Sequence, residues 1–100
     1  MQEGLKTAIN IPLTVMRLGD AAWDSLREVA RYGNPASKSD LQVGARALQT
    51  GIWGAYQNVL INIKDVRDET YKEKILKEAE CMQQRADEKS SEILSILKRV

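Results

Sequence analysis

Apolar residues recur every three or four positions along most of the chain, and two polar breaks divide this pattern into three segments. Such spacing places the apolar side chains on one face of an α-helix. The alternation of apolar and polar residues that is typical of a β-strand fits the sequence less well. The first break contains a glycine and a proline, and the second is rich in charged residues. The pattern predicts an all-α chain of long antiparallel helices over about residues 2–32, 38–63 and 68–98.

Residues near the breaks favour particular helix ends. Pro12 has no backbone N–H, so we expect the first helix to kink or restart there, with Pro12 in a first turn. Gly33 suits a left-handed cap at the end of that helix. The Ser37–Asp40 segment and Asp68 favour the starts of the second and third helices, because their side-chain oxygens accept hydrogen bonds from unpaired N–H groups.

The second segment is apolar around most of its circumference, which predicts burial on several sides. Small residues and two amides also fall at steps of three and four, and we name this set the small-residue stripe: Gly44, Ala47, Gly51, Gly54 or Ala55, Asn58 and Asn62. Each glycine costs up to about 1 kcal/mol relative to alanine inside a helix, so another interaction must offset that cost. The stripe predicts either tight packing against another helix or the wall of a ligand site.

The third segment alternates steps of four and three, the spacing of a seam that faces a partner helix. The predicted seam consists of Ile75, Ala79, Met82, Ala86, Lys89, Ile93, Ile96 and Val100. The charged run 72–80 predicts a solvated face, and Cys81 is expected to be buried or half-buried. We expect Trp23, Trp53 and the tyrosines to lie in the core or in an interface. Tyr56 is one turn from the stripe and is the best candidate for stacking on a ligand.

Composition and charge narrow the possible chemistry. The chain has 100 residues, room for one domain, and its net charge of +1 disfavours nucleic acid and anionic membranes as partners. It contains no His and one Cys, which excludes a Ser-His-Asp triad and the usual zinc sites, so no metal ligand is assigned. The unpaired cysteine, together with the absence of a signal-like start or a membrane-length apolar stretch, predicts a cytoplasmic location.

Polar residues on the apolar second helix are the candidates for a binding site, because a buried amide without partners costs about 1–3 kcal/mol. Asn58 and Asn62 lie one turn apart and offer donors and acceptors together. They predict contacts with a heterocycle or an amide-like group, or alternatively hydrogen bonds to a neighbouring helix end. Asp40 taken alone is typical of a helix cap.

Several motifs at fixed spacing run through nearly the whole chain: Ile11–Thr14, Tyr32–Asn34, Ser39–Val43, Gly51–Tyr56 and Asn58–Asn62. Together they resemble the formiminotetrahydrofolate cyclodeaminase and methenyltetrahydrofolate cyclohydrolase family. The resemblance implies interlocked, all-helical oligomers that act on a tetrahydrofolate derivative without a separate cofactor. In cyclodeaminases, N10 attacks the formimino group on N5, the ring closes to 5,10-methenyltetrahydrofolate, and ammonia leaves; relatives hydrolyse the methenyl bridge.

The resemblance also implies which residues border the folate. Asp40, Asn58 and Asn62 match the motifs that border the pocket, and Ser39 and Gln42 are expected to help position them. It further implies that residues 1–100 form the C-terminal helical portion of such a domain, with more helices and the proposed catalytic Asp upstream, so we assign no catalytic residue. Partners are then the folate and either further copies or the N-terminal half. The alternative is a non-catalytic helical assembly module that keeps the helices for assembly and has lost the active site. In either case we expect the apolar second helix to be partly exposed in a chain this short.

Overall fold

The structure, a computed structural model, describes all residues 1–100. Its elements are α1 (Gln2–Asp20), α2 (Trp23–Tyr32), a 3₁₀ turn (Pro35–Ser37), α3 (Lys38–Ile63) and α4 (Glu69–Lys98). Helices hold 88% of the residues and there is no strand, which confirms the all-α prediction. At 1.5 Å per residue α3 and α4 are about 39 and 45 Å long, so the molecule is a rod of 51 × 17 × 16 Å.

The first predicted helix is two helices, and it does not break where we expected. α1 continues through Pro12, so the predicted restart, with Pro12 in a first turn, is wrong. Pro12 cannot donate to the carbonyl of Ala8; both residues line a groove between α1 and α3, and Pro12 is buried. The chain turns at Ala21 and Ala22 instead, whose N–H groups still bond to carbonyls of the last turn of α1.

The end of α2 also differs from its prediction. Gly33 is extended, with φ −77° and ψ 176°, so the predicted left-handed cap is wrong. Glycine is nevertheless required, because a Cβ on Gly33 would collide with the carbonyl oxygen of Val29, which accepts a hydrogen bond from the Gly33 N–H at 2.7 Å. Asn34 then starts the 3₁₀ turn by accepting a hydrogen bond at Oδ1 from the N–H of Ala36 at 2.9 Å.

The starts of α3 and α4 fall where the sequence predicts them, although only one carries a side-chain cap. Asp68 accepts a hydrogen bond at Oδ1 from the N–H of Tyr71 at 3.1 Å, which confirms it as the N-cap of α4. Ser37 precedes α3 but makes no capping hydrogen bond with its side chain. The acidic side chain of Asp40 lies in the first turn of α3, where a negative charge is favoured by the helix dipole.

The buried seam of α4 departs from the predicted one after Ala86. The residues that are buried are Ile75, Ala79, Met82, Ala86, Ser90, Ile93 and Leu97. Ser90 and Leu97 therefore replace Lys89, Ile96 and Val100, because a straight helix of 3.6 residues per turn drifts away from a strict seven-residue repeat. Cys81 is exposed, so its predicted burial is wrong.

Two bidentate ion pairs fasten α4 to α1. Arg17 donates from Nε and Nη2 to the carboxylate of Glu78 at 2.8 Å, so the charged run on α4 is not solvated at every position. Arg85 bonds in the same way to Asp20 at 2.9 and 2.8 Å. These planar, two-bond contacts fix the position of α4 relative to α1.

The Arg17–Glu78 pair predicts a loss of stability in acid. The hydrogen bonds from Arg17 lower the pKa of Glu78 from its ordinary value, so protonation is easier in the unfolded chain. The stabilisation is complete above the pKa of unfolded Glu and is lost as the pH falls through the lower pKa of folded Glu78. We expect a loss of about 1 kcal/mol or less, measured by urea unfolding between pH 7 and 3. Glu78→Gln should remove this part of the pH dependence, and an unchanged dependence in that variant would contradict the assignment.

Candidate functional site

A groove of about 600 Å³ lies between α1 and α3. Its wall consists of Ala8, Ile11, Pro12, Val15, Thr50, Gly51, Gly54, Ala55, Asn58 and Asn62. No α4 residue and no charged residue contributes to this wall. The α1–α3 groove therefore offers apolar surface with a few polar groups, which is the usual character of a small-molecule site.

Two glycines of the small-residue stripe, Gly51 and Gly54, line this groove. A Cβ built on Gly51 or Gly54 would meet no heavy atom within 4 Å, so neither glycine serves close packing within this chain. Of the two interpretations of the stripe, the structure of this chain supports an open wall. The glycine that does serve a close approach is Gly19 on α1, where a Cβ would lie 2.8 Å from Cγ1 of Ile52. The sequence analysis did not single out Gly19.

Two further depressions of about 380 Å³ each continue the groove along α3. The first shares Val15 and Gly51 with the α1–α3 groove, and the second shares Ala22 and Leu48 with the first. We call the three together the apolar furrow, which follows α3 from Gly44 to Asn62, a rise of 18 residue steps or about 27 Å. Its walls carry no charge, and large apolar residues stand exposed along it. Ile11 is 65% exposed and Leu18 is 69% exposed.

Asn58 and Asn62, the two amides of the small-residue stripe, both line the α1–α3 groove. The Asn62 Nδ2 donates to the backbone carbonyl of Asn58 at 3.0 Å, which orients this amide within α3. The side chain of Asn58 makes no hydrogen bond and is exposed. The predicted alternative, a bond to a neighbouring helix end, is not found. One amide is thus held by its own helix and the other is free to bind a ligand.

Ser39 and Asp40 lie at the opposite end of α3 from the two asparagines. Both are exposed, in the first turn of the helix. Eighteen residues separate Asp40 from Asn58, which corresponds to about 27 Å along the helix axis. A single chain therefore does not bring all four predicted site residues together.

The aromatic residues of α3 lie outside the α1–α3 groove. Tyr56 packs against the core, and burial together with the negative charge of Glu80 raises its pKa, so its phenol stays neutral near pH 7. Its predicted role in stacking on a ligand is not supported in this chain. Trp53 is 54% exposed and stands beside Gln49, Thr50 and Asp87, so it is not a core residue here.

The structure contains neither a metal-binding cluster of side chains nor a helix suited to cross a membrane. No three Cys, Asp or Glu side chains come together as a metal site would require. None of the helices combines the length and the apolar character needed to cross a membrane. The α1–α3 groove is the largest cavity of the molecule and the one that contains predicted site residues.

Comparison with known proteins identifies the family. The family model described as formiminotransferase-cyclodeaminase matches residues 1–81, which include every residue of the α1–α3 groove. The chain belongs to the formiminotransferase-cyclodeaminase family. The resemblance found in the motifs of α1 and α3 is thereby confirmed, and the asparagines of the groove lie within the matched segment.

Individual relatives extend the match across nearly the whole chain. A formimidoyltransferase-cyclodeaminase from Dictyostelium discoideum is 46% identical over 97 residues, which are 97% of this chain and 18% of the relative. The Gallus gallus protein of the same name is 41% identical over 99 residues, again 18% of its length. A methenyltetrahydrofolate cyclohydrolase from Methylorubrum extorquens is 36% identical over 80 residues, or 80% of this chain and 38% of that protein. The chain spans about a fifth of the length of the bifunctional relatives.

Proposed function

We propose that this chain is the C-terminal helical portion of a folate one-carbon enzyme that converts 5-formiminotetrahydrofolate to 5,10-methenyltetrahydrofolate and ammonia. In this proposal the α1–α3 groove is one wall of the folate site. The observation that carries it is that Asn58 and Asn62, matched by the family motifs, lie together in the largest cavity beside the bare backbone of Gly51 and Gly54. The substrate is the tetrahydrofolate derivative, and no separate cofactor is proposed.

The wall is suited to binding a flat heterocycle. Ile11, Pro12 and Val15 supply apolar surface on one side, while the absence of side chains on Gly51 and Gly54 lets a ring approach the α3 backbone. The free amide of Asn58 can both donate to and accept from the polar edge of such a ring.

The groove contains no side chain that takes up or releases a proton near neutral pH. Its residues therefore bind and orient the substrate in our proposal. The proton transfers of ring closure and ammonia release then require groups outside this wall. We place these groups in the part of the protein upstream of the matched segment.

Hydrolysis of the methenyl bridge is a second candidate function for the same wall. It is favoured by the Methylorubrum extorquens relative, whose name describes a methenyltetrahydrofolate cyclohydrolase. Both reactions use a folate with a one-carbon group at N5 and N10, so one groove serves either. We propose the cytoplasm as the location because Cys81 is unpaired and exposed.

We propose that the rest of the apolar furrow is covered in the assembled protein by another copy or by the N-terminal half. Exposed furrow residues such as Ile11 and Leu18 carry too much apolar surface for a face that stays in water. If the chain is instead a non-catalytic assembly module, the only function of the furrow is to bind another copy or the N-terminal half. Measuring folate binding separates the two functions.

The test is binding of 5-formyltetrahydrofolate, a stable probe of the same class, to the purified chain by calorimetry. Asn58→Ala removes the free amide, and we expect binding to weaken about 2- to 13-fold, because one hydrogen bond contributes about 0.5–1.5 kcal/mol. Asn62→Ala should act in the same direction. Gln57→Ala is the matched control, since it truncates a neighbouring amide on α3 that does not line the groove.

The outcomes distinguish the proposals. Binding that is weakened by the two asparagine variants and not by Gln57→Ala supports the folate wall. If none of the three substitutions changes the affinity, the folate binds elsewhere on the chain. No binding by the parent chain leaves the assembly role.

A further inference from the structure

A separate depression, of about 450 Å³, lies between α3 and α4. It is lined by Gln42, Arg46, Ser91, Leu94, Ser95 and Lys98, and it shares no residue with the apolar furrow. Five of these six side chains are polar and none is acidic. We call this depression the basic pocket.

The two cations of the basic pocket have no partner in the chain. Arg46 and Lys98 take part in no ion pair, whereas Arg17 and Arg85 each bond to a carboxylate through two nitrogens. Two positive charges facing one cavity repel each other, so an anion bound between them would be favoured over an empty pocket.

The register of the two helices brings the other donors to the same place. On α3, Gln42 and Arg46 are one turn apart, and on α4, Ser91 and Ser95 are also one turn apart, so each pair shares a helix face. The pocket thus presents a guanidinium, an ammonium, two hydroxyls and an amide on facing helices. All five groups can donate a hydrogen bond, and the two hydroxyls and the Gln42 amide can also accept one.

We propose that the basic pocket binds an oxyanion, a phosphate or a carboxylate group of a ligand. The planar guanidinium of Arg46 suits two parallel bonds to such a group, and Lys98 contributes a point charge from the opposite helix. The hydroxyls of Ser91 and Ser95 complete the set of donors. This site is independent of the proposed folate wall, because the two cavities face different pairs of helices.

In the experiment, the chain is titrated into inorganic phosphate and, separately, into ¹³C-labelled succinate. Binding is measured by NMR, from the ³¹P line width of phosphate and from the ¹³C line width of the succinate carboxylates. Ionic strength is held constant with chloride, because exposed charges attract any anion at low salt. In Arg46→Gln/Lys98→Gln we expect binding of the preferred probe to weaken about tenfold or more. The control Arg31→Gln/Lys77→Gln removes two exposed, unpaired charges outside the pocket and should leave binding unchanged.

The site is supported if the parent chain binds one of the probes and only the pocket variant loses that binding. The probe that is bound identifies the oxyanion that the site prefers. The proposal is overturned if neither probe is bound or if the control loses as much binding as the pocket variant. Circular dichroism of both variants verifies that the helices are intact, which is expected because glutamine has nearly the helix propensity of arginine and lysine.

Discussion

Replacing Ile52 by alanine should lower the free energy of unfolding by about 2–5 kcal/mol. Ile52 is 1% exposed, and its side chain lies at the point where α1 comes close enough to α3 to require Gly19. Truncation would leave a cavity between the two helices that also form the walls of the α1–α3 groove. Urea unfolding at a fixed protein concentration measures the change, since any self-association makes the midpoint depend on concentration.

The matched control for this prediction is Ile61→Ala on the same helix. Ile61 is 58% exposed, so the same truncation should change stability by about 0.5 kcal/mol or less. An equal loss in the two variants would show that the side of α3 facing α1 is not the buried one.

Gly19→Ala supplies a second check, through coupling with Ile52. In the parent chain the added methyl group would lie 2.8 Å from Cγ1 of Ile52, so one of them must move. In the Ile52→Ala background the same methyl group enters the vacated space. We expect the alanine at residue 19 to be less unfavourable there by about 1 kcal/mol, and additive effects would contradict direct contact.

The local pattern of the sequence was sufficient to predict the helices and the two amides of the groove. Spacing by three and four gave the extents of α3 and α4 to within a residue or so, and placed Asn58 and Asn62 on one face. The cap at Asp68 was also predictable, because it depends on residues within one turn. All of these features depend on side chains that are close together in the chain.

Features that depend on contacts between helices were not predictable from the same pattern. The break between α1 and α2 falls at Ala21 and Ala22 and not at Pro12, directly after the close approach of α1 to α3 at Gly19. Which face of α3 remains open likewise depends on where α1 and α4 pack. The register of the α4 seam after Ala86 shifted because helix drift accumulates over its 30 residues.

Replacing Gly51 by leucine should abolish most ligand binding in the α1–α3 groove without weakening the fold. A Cβ at residue 51 meets nothing within 4 Å, so the leucine side chain extends into the groove instead of into the core. Leucine is also favoured over glycine inside a helix by up to about 1 kcal/mol. We therefore expect an unchanged or higher melting temperature together with binding of 5-formyltetrahydrofolate that is about 5- to 150-fold weaker, the equivalent of 1–3 kcal/mol of overpacking.

Gly4→Leu is the control, because Gly4 is also helical with open space around it but lies outside the groove. It should raise helix stability in the same way and leave folate binding unchanged. If the Gly51→Leu and Gly4→Leu chains bind the probe with equal affinity, the groove is not the folate wall. If Gly51→Leu instead lowers the melting temperature, residue 51 is packed against another copy in solution. That result would assign the furrow to assembly, because only a neighbouring molecule can fill space that is open within one chain.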